Sequence, residues 1–182
     1  TFSHAEGYLT TAISVNSHAE GEGTIAGGQS SHAEGYLTIA SGNFGSHAEG
    51  SGTTASGDYA HAEGVGTTAS GFYSHAEGRQ SKASGNTSHA EGYNTTSEGA
   101  GSHVEGISNK TFGNGSHAEG GLTTAAGDYS HSEGYNSRAF GNYNHAEGFN
   151  TTASGGTSHA EGRGTIASGV YSHAEGQSTT AT

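Results

Sequence analysis

The chain has 182 residues, of which 34 are Gly and none is Pro, Cys, Met or Trp, and its formal net charge is -12 at pH 7. Leu, Ile, Val and Phe together give only 18 residues, too few for a conventional core and, at this charge, a composition typical of disorder. Five Lys and Arg argue against nucleic acid as a partner, the lack of Cys excludes disulfides and thiolate metal sites, and no apolar run approaches the roughly 18 residues of a membrane span. What can order such a chain is repetition, in which each unit is stabilised by its neighbours.

The repeated motif is S-H-A-E-G. In chain order its paired residues are His4 and Glu6, His18 and Glu20, His32 and Glu34, His47 and Glu49, His61 and Glu63, His75 and Glu77, His89 and Glu91, His103 and Glu105, His117 and Glu119, His131 and Glu133, His145 and Glu147, His159 and Glu161, and His173 and Glu175. Every interval is 14 residues except the 15 between His32 and His47. The full unit reads S-H-A-E-G-x-x-T-x-A-S-G-x-x, with Ser14 in place of the second Gly in the first copy. The extra residue of the third interval falls in Asn43-Phe44-Gly45, which marks that segment as a turn.

Fourteen residues cannot hold two helices and their loops. Extended, they span roughly 46 Å, which suits one solenoid coil of two strands of about five residues and two tight turns. The spacing therefore predicts an all-β fold, a parallel β-solenoid of thirteen 14-residue coils forming one repeat-array domain over 1–182. With no Met, the chain is expected to be a processed product or a segment of a longer or end-to-end stacked protein.

Strand alternation assigns the faces. Ser, Ala and Gly of S-H-A-E-G and Thr, Ala and Gly of the second half are expected inside, with Ala5, Ala19, Ala33 and Ala48 in one row and Ala12, Ala26, Ala40 and Ala55 in the other. Val104, Ser132, Ser97 and Thr111 depart from these rows. His and Glu face outward together. The second outward face is irregular, with Thr54, Ser56, Thr68, Ser70, Lys82, Glu98, Lys110, Phe112, Arg138 and Phe140, and the turns carry Tyr8, Tyr36, Tyr59, Tyr73 and further aromatics. So small a core makes a lone roll marginal and predicts association through one sheet face.

The pattern S-x-A-x-G-x-x-x-x-A-x-G-x-x, from Ser3 to about Ala181, resembles the head repeat of YadA-type trimeric autotransporter adhesins, with relatives in phage tail appendages and other bacterial surface proteins. The resemblance implies a left-handed β-roll and a homotrimer, with the first strand of each coil facing the threefold axis. It also implies an extracellular location, on a cell surface or a virion appendage. Where the family usually reads S-V-A-I-G, this chain places His and Glu thirteen times.

A uniform stripe lacks the groups of unequal pKa in one pocket that catalysis needs, so no enzyme activity is expected. The His and Glu residues are expected to form a structural, inter-chain polar ladder, with each imidazole donating to a carboxylate and the motif Ser satisfying the other ring nitrogen or nearby backbone. That hydrogen bond would raise the His pKa and give greatest stability from mildly acidic to neutral pH. No cofactor is called for; an axial metal ion or anion between His ladders is the alternative these residue types leave open. The function expected is a structural or adhesive rod or filament module. Its partners are expected to be further copies of the chain, as homotrimer or end-to-end filament, and a host surface or polysaccharide. The alternative is a solenoid binding polysaccharide or ice, although Lys82, Lys110, Arg138, Phe112 and Phe140 interrupt the face that ice would need.

Overall fold

The computed structural model describes residues 2–182, and among them there is no helix. The chain divides into two compact units, Thr1–Tyr93 and Asn94–Thr182. Each is a parallel β-solenoid in which every coil contributes a leading strand that starts at the motif His and a trailing strand that ends at the second-half Ala position.

In the first unit the leading strands run from His4–Tyr8 through His18–Glu22, His32–Tyr36 and His47–Ser51 to His89–Ala90, and the trailing strands from Thr11–Ala12 to Lys82–Ala83. Pairing is parallel and in register, with His4 opposite His18, His32 opposite His47 and Ala69 opposite Ala83. The second unit repeats the plan. Its leading strands run from His103–Val104 to His173–Ala174 and its trailing strands from Thr96–Ser97 to Thr180–Ala181. His131 pairs with His145, which pairs with His159.

The strands are shorter than the spacing suggests. Every trailing strand has two residues, and only some leading strands reach five. A left-handed residue recurs every half coil. In consecutive turns these are Tyr59 (φ 56), Gly66 (φ 65), Tyr73 (φ 56) and Gln80 (φ 57). Bonding between coils continues through these turns, as the Gly66 N–H donates to the Ser51 carbonyl at 2.8 Å. The extra residue of the third coil is absorbed in such a turn: Phe44 bridges Gln29, the Gly45 N–H donates to the Gln29 carbonyl at 2.9 Å, and the Asn43 N–H donates to Asp58 Oδ1 at 2.6 Å.

Both predicted Ala rows are interior from the second coil onward, with Ala19, Ala33, Ala26 and Ala40 among the residues at 0% exposure, whereas Ala5 of the end coil is exposed and Ala12 half-buried, because no coil covers them on that side. Beside them lie the motif Ser and Thr side chains. Ser31 Oγ donates to the Gly28 carbonyl at 2.6 Å and Ser130 Oγ to the Gly127 carbonyl at 2.6 Å, so the Ser satisfies its own turn and does not reach the imidazole. The glycine of S-H-A-E-G is not an interior residue, contrary to the face assignment. Gly64 adopts φ +102, and a Cβ there would stand 2.1 Å from the Gly78 carbonyl oxygen of the next coil. The second glycine, as at Gly57, has no positive φ. It is needed because its Cβ would lie 2.0 Å from the Gly71 carbonyl oxygen.

Three of the four departures from the Ala rows are accommodated in two ways, whereas the buried Ser132 Oγ has no hydrogen-bond partner. Val104 is fully buried and is the largest apolar side chain of the interior. Ser97, Ser102 and Thr111 bond one another inside the roll, with Ser97 Oγ 2.7 Å from Ser102 Oγ and 3.0 Å from Thr111 Oγ1.

Candidate functional site

The leading strands carry His and Glu on one outward face because the period-2 alternation that buries Ala turns its two neighbours out together. In-register parallel pairing then stacks like on like. In the first unit the His18, His32, His47 and His61 rings follow one another at centroid spacings of 4.8, 4.8 and 4.7 Å, within 4° of parallel. In the second unit the His117, His131 and His145 rings are spaced at 4.9 Å. The first pair, His4 and His18, breaks the stack with an edge contact at 79°.

In most coils the Glu follows its His at ion-pair range. The Nε2 to Oε distance is 3.4 Å for His145–Glu147, 3.5 Å for His159–Glu161 and 3.7 Å for His131–Glu133. Several rings also approach the Glu of the preceding coil, as His47 does Glu34 at 3.9 Å and His131 does Glu119 at 3.7 Å. His4–Glu6, at 3.3 Å, is a hydrogen bond. Most rings of the stacked stretch do not make the expected imidazole-to-carboxylate bond. The Nε2 atoms of His18, His32, His47, His61, His75, His117, His131, His145 and His159 are buried without a hydrogen-bond partner, although about a third of each side chain stays exposed, 34% at His47 and 35% at His131.

The electrostatics follow from this packing. Burial, and then the neighbouring rings, lower the pKa of His47 and His117 below the usual imidazole value. His32, His131 and His159 are lowered for the same reasons, with nearby Glu side chains opposing. These rings are neutral at pH 7, which corrects the expectation of a raised pKa. Glu34 moves the other way, pushed up to about 7 by a proton shared with Glu49, by burial and by Glu20. Beside this row lies an open groove lined by Glu6, Glu20, Glu34 and Glu49 and the glycines that follow them.

The aromatic turn positions form short exposed rows. Tyr59 stacks on Tyr73 at 5.0 Å, Tyr135 stacks on Phe149 at 5.5 Å, and the Arg163 guanidinium lies 5.7 Å from the Phe149 ring. A second ladder, missed in the sequence, lies one residue before the left-handed turn position. There the Asn114 N–H donates to Asp128 Oδ1 at 2.8 Å, and the Asp128 N–H to Asn142 Oδ1 at 3.0 Å. The recurrence of Asp and Asn at that position was its only signal.

A uniform stripe on stacked 14-residue coils defines a parallel β-solenoid repeat protein. The YadA head domain repeat matches residues 48–74, 146–172 and 160–182, so these stretches are similar to the head repeats of that family, and the other coils carry the same 14-residue unit. Comparison with curated proteins gives no match.

Proposed function

We propose that the chain is a structural, adhesive module of a bacterial surface appendage, and that it works as a parallel homotrimer with the His–Glu stripe on the threefold axis. The observation that carries this reading is the pairing of YadA-like head repeats with an interior made almost wholly of Ala, Ser and Thr. A single roll buries little apolar area, and burial at about 25 cal/mol per Å² is what offsets chain entropy. Association through the most regular face adds the missing burial. The partnerless Nε2 atoms mark that face as one whose polar groups still seek partners. No helix among the described residues is long and apolar enough to cross a membrane.

The chain has no Cys, so engineered thiols report cleanly. His61→Cys should cross-link two of every three chains under mild oxidation, because equivalent residues meet at the axis. Thr54→Cys, on the trailing strand, should stay uncross-linked. Cross-linking at residue 54 and none at 61 would move the interface to the other sheet. A second reading, binding of a polysaccharide, draws on the exposed Tyr135, Phe149 and Arg163 row, since an aromatic face with a polar tip suits a sugar ring.

A further inference from the structure

We propose that the His–Glu stripe is a periodic binding site for divalent zinc-class ions, each held by two His from successive coils and the Glu between them. The donor atoms of His47, Glu49 and His61 lie within 4.8 Å of one another, as do those of His131, Glu133 and His145. Two ligands at about 2.0–2.1 Å from a tetrahedral ion stand about 3.4 Å apart. The His145–Glu147 and His159–Glu161 separations of 3.4 and 3.5 Å already match that edge. The second imidazole closes the remaining gap by tilting its ring, a side-chain rotation that leaves the coil untouched. Three protein ligands leave the fourth position to water.

Two independent features favour occupation. The Nε2 atoms of His47, His61, His131 and His145 are buried and without hydrogen-bond partners, so an ion satisfies them. The carboxylates crowd one another in an open groove on a chain of net charge -12, and a cation relieves that repulsion. Mixed imidazole and carboxylate donors suit zinc and exclude none of its neighbours in the first row.

Periodicity sets the stoichiometry. Successive triads share a ring: His145 belongs both to the triad with Glu133 and to the one with Glu147. Neighbouring sites therefore compete, and ions fill alternate coils. The seven His of residues 1–93 allow three pairs, and the six of 94–182 allow three. The geometry is that of one chain and does not depend on the trimer.

The test is a calorimetric titration of zinc chloride into the whole chain at pH 7.5, with the sedimentation mass measured on the same samples. More than one and no more than six ions per chain should bind. The combined variant Glu105→Gln, Glu119→Gln, Glu133→Gln, Glu147→Gln and Glu161→Gln keeps every His and the shape of the stripe. It should bind at least tenfold more weakly in 94–182 and lose up to half the sites, while 1–93 serves as the internal reference. Cobalt in place of zinc on the unaltered chain should give the intense visible absorption of a four-coordinate ion. Failure to bind at 100 µM zinc, an unchanged stoichiometry in the variant, or the weak spectrum of hydrated cobalt would each overturn the proposal. A monomer that binds zinc upholds it and removes the trimer; a trimer that binds none does the reverse.

Discussion

Gly148 and Gly164 show how two glycines with positive φ serve different ends. Gly148 has φ +110 and a virtual Cβ 2.1 Å from the Gly162 carbonyl oxygen, whereas at Gly164, φ +65, the nearest atom is Ser178 Oγ at 3.8 Å. Gly164→Ala should cost about 1–2 kcal/mol, the left-handed penalty alone. Gly148→Ala adds a backbone collision between coils and should cost at least about 3 kcal/mol, beyond ordinary overpacking. Urea unfolding of the two variants measures the difference; equal losses would mean that coil spacing does not set the glycine requirement. Ala62, at 0% exposure, tests the interior in the same way. Ala62→Leu should cost about 1–3 kcal/mol, whereas outward Thr54→Leu should be nearly neutral. The Ala rows were legible because period-2 alternation leaves one solution for S-H-A-E-G. The left-handed positions were not, because Leu, Tyr, Ser, Thr, Asn and Gly all occupy them and no composition marks the site.

Coils tolerate change where a substitute reproduces the bonds of the residue it replaces. Asn144 stands at a motif Ser position, fully enclosed, with Nδ2 donating to the Ala153 carbonyl at 2.9 Å and Oδ1 accepting from the Ser158 N–H at 2.7 Å. Asn144→Ala leaves both backbone groups unpaired and should cost about 1–3 kcal/mol. Asn144→Ser restores the repeat's own turn bond, seen at Ser130, and should cost less, about 1 kcal/mol or under. Thermal unfolding ranks them, and the reverse order would mean that Asn144 is a tolerated defect. At this scale the sequence was a good guide to topology and a poor one to ladder length. The 14-residue period dictates one coil per repeat, but it does not mark where strand pairing stops. The His–Glu stripe was legible as a row of residues on one face. Its hydrogen bonding was not, because ring stacking at the strand spacing competes with the bond to Glu.

For the whole chain, the pKa shifts set the direction of pH dependence. His32, His47, His117, His131 and His159 hold lowered values in the fold, so below about pH 6.5 the unfolded chain takes up protons that the fold resists. Stability should fall as pH drops through that point. Glu34, raised to about 7, opposes this by favouring the fold while protonated, an advantage lost as pH rises from about 4.5 to 7. Five resolved His against one Glu make the net change a loss on acidification and little change above pH 7. A melting temperature that rises from pH 7 to 5 would contradict this. The expectation of greatest stability from mildly acidic to neutral pH assumed imidazole–carboxylate bonds that most of the stacked rings do not make.

The proposed assembly joins these scales, since an Ala-lined coil and a regular outward row of His and Glu both call for copies of the same chain. Sedimentation equilibrium at micromolar concentration and pH 7.5 tests it most directly. The account predicts a single species near three times the 18.1 kDa chain mass that loses its β-sheet signal only as it dissociates. A folded, stable species of 18.1 kDa would contradict it.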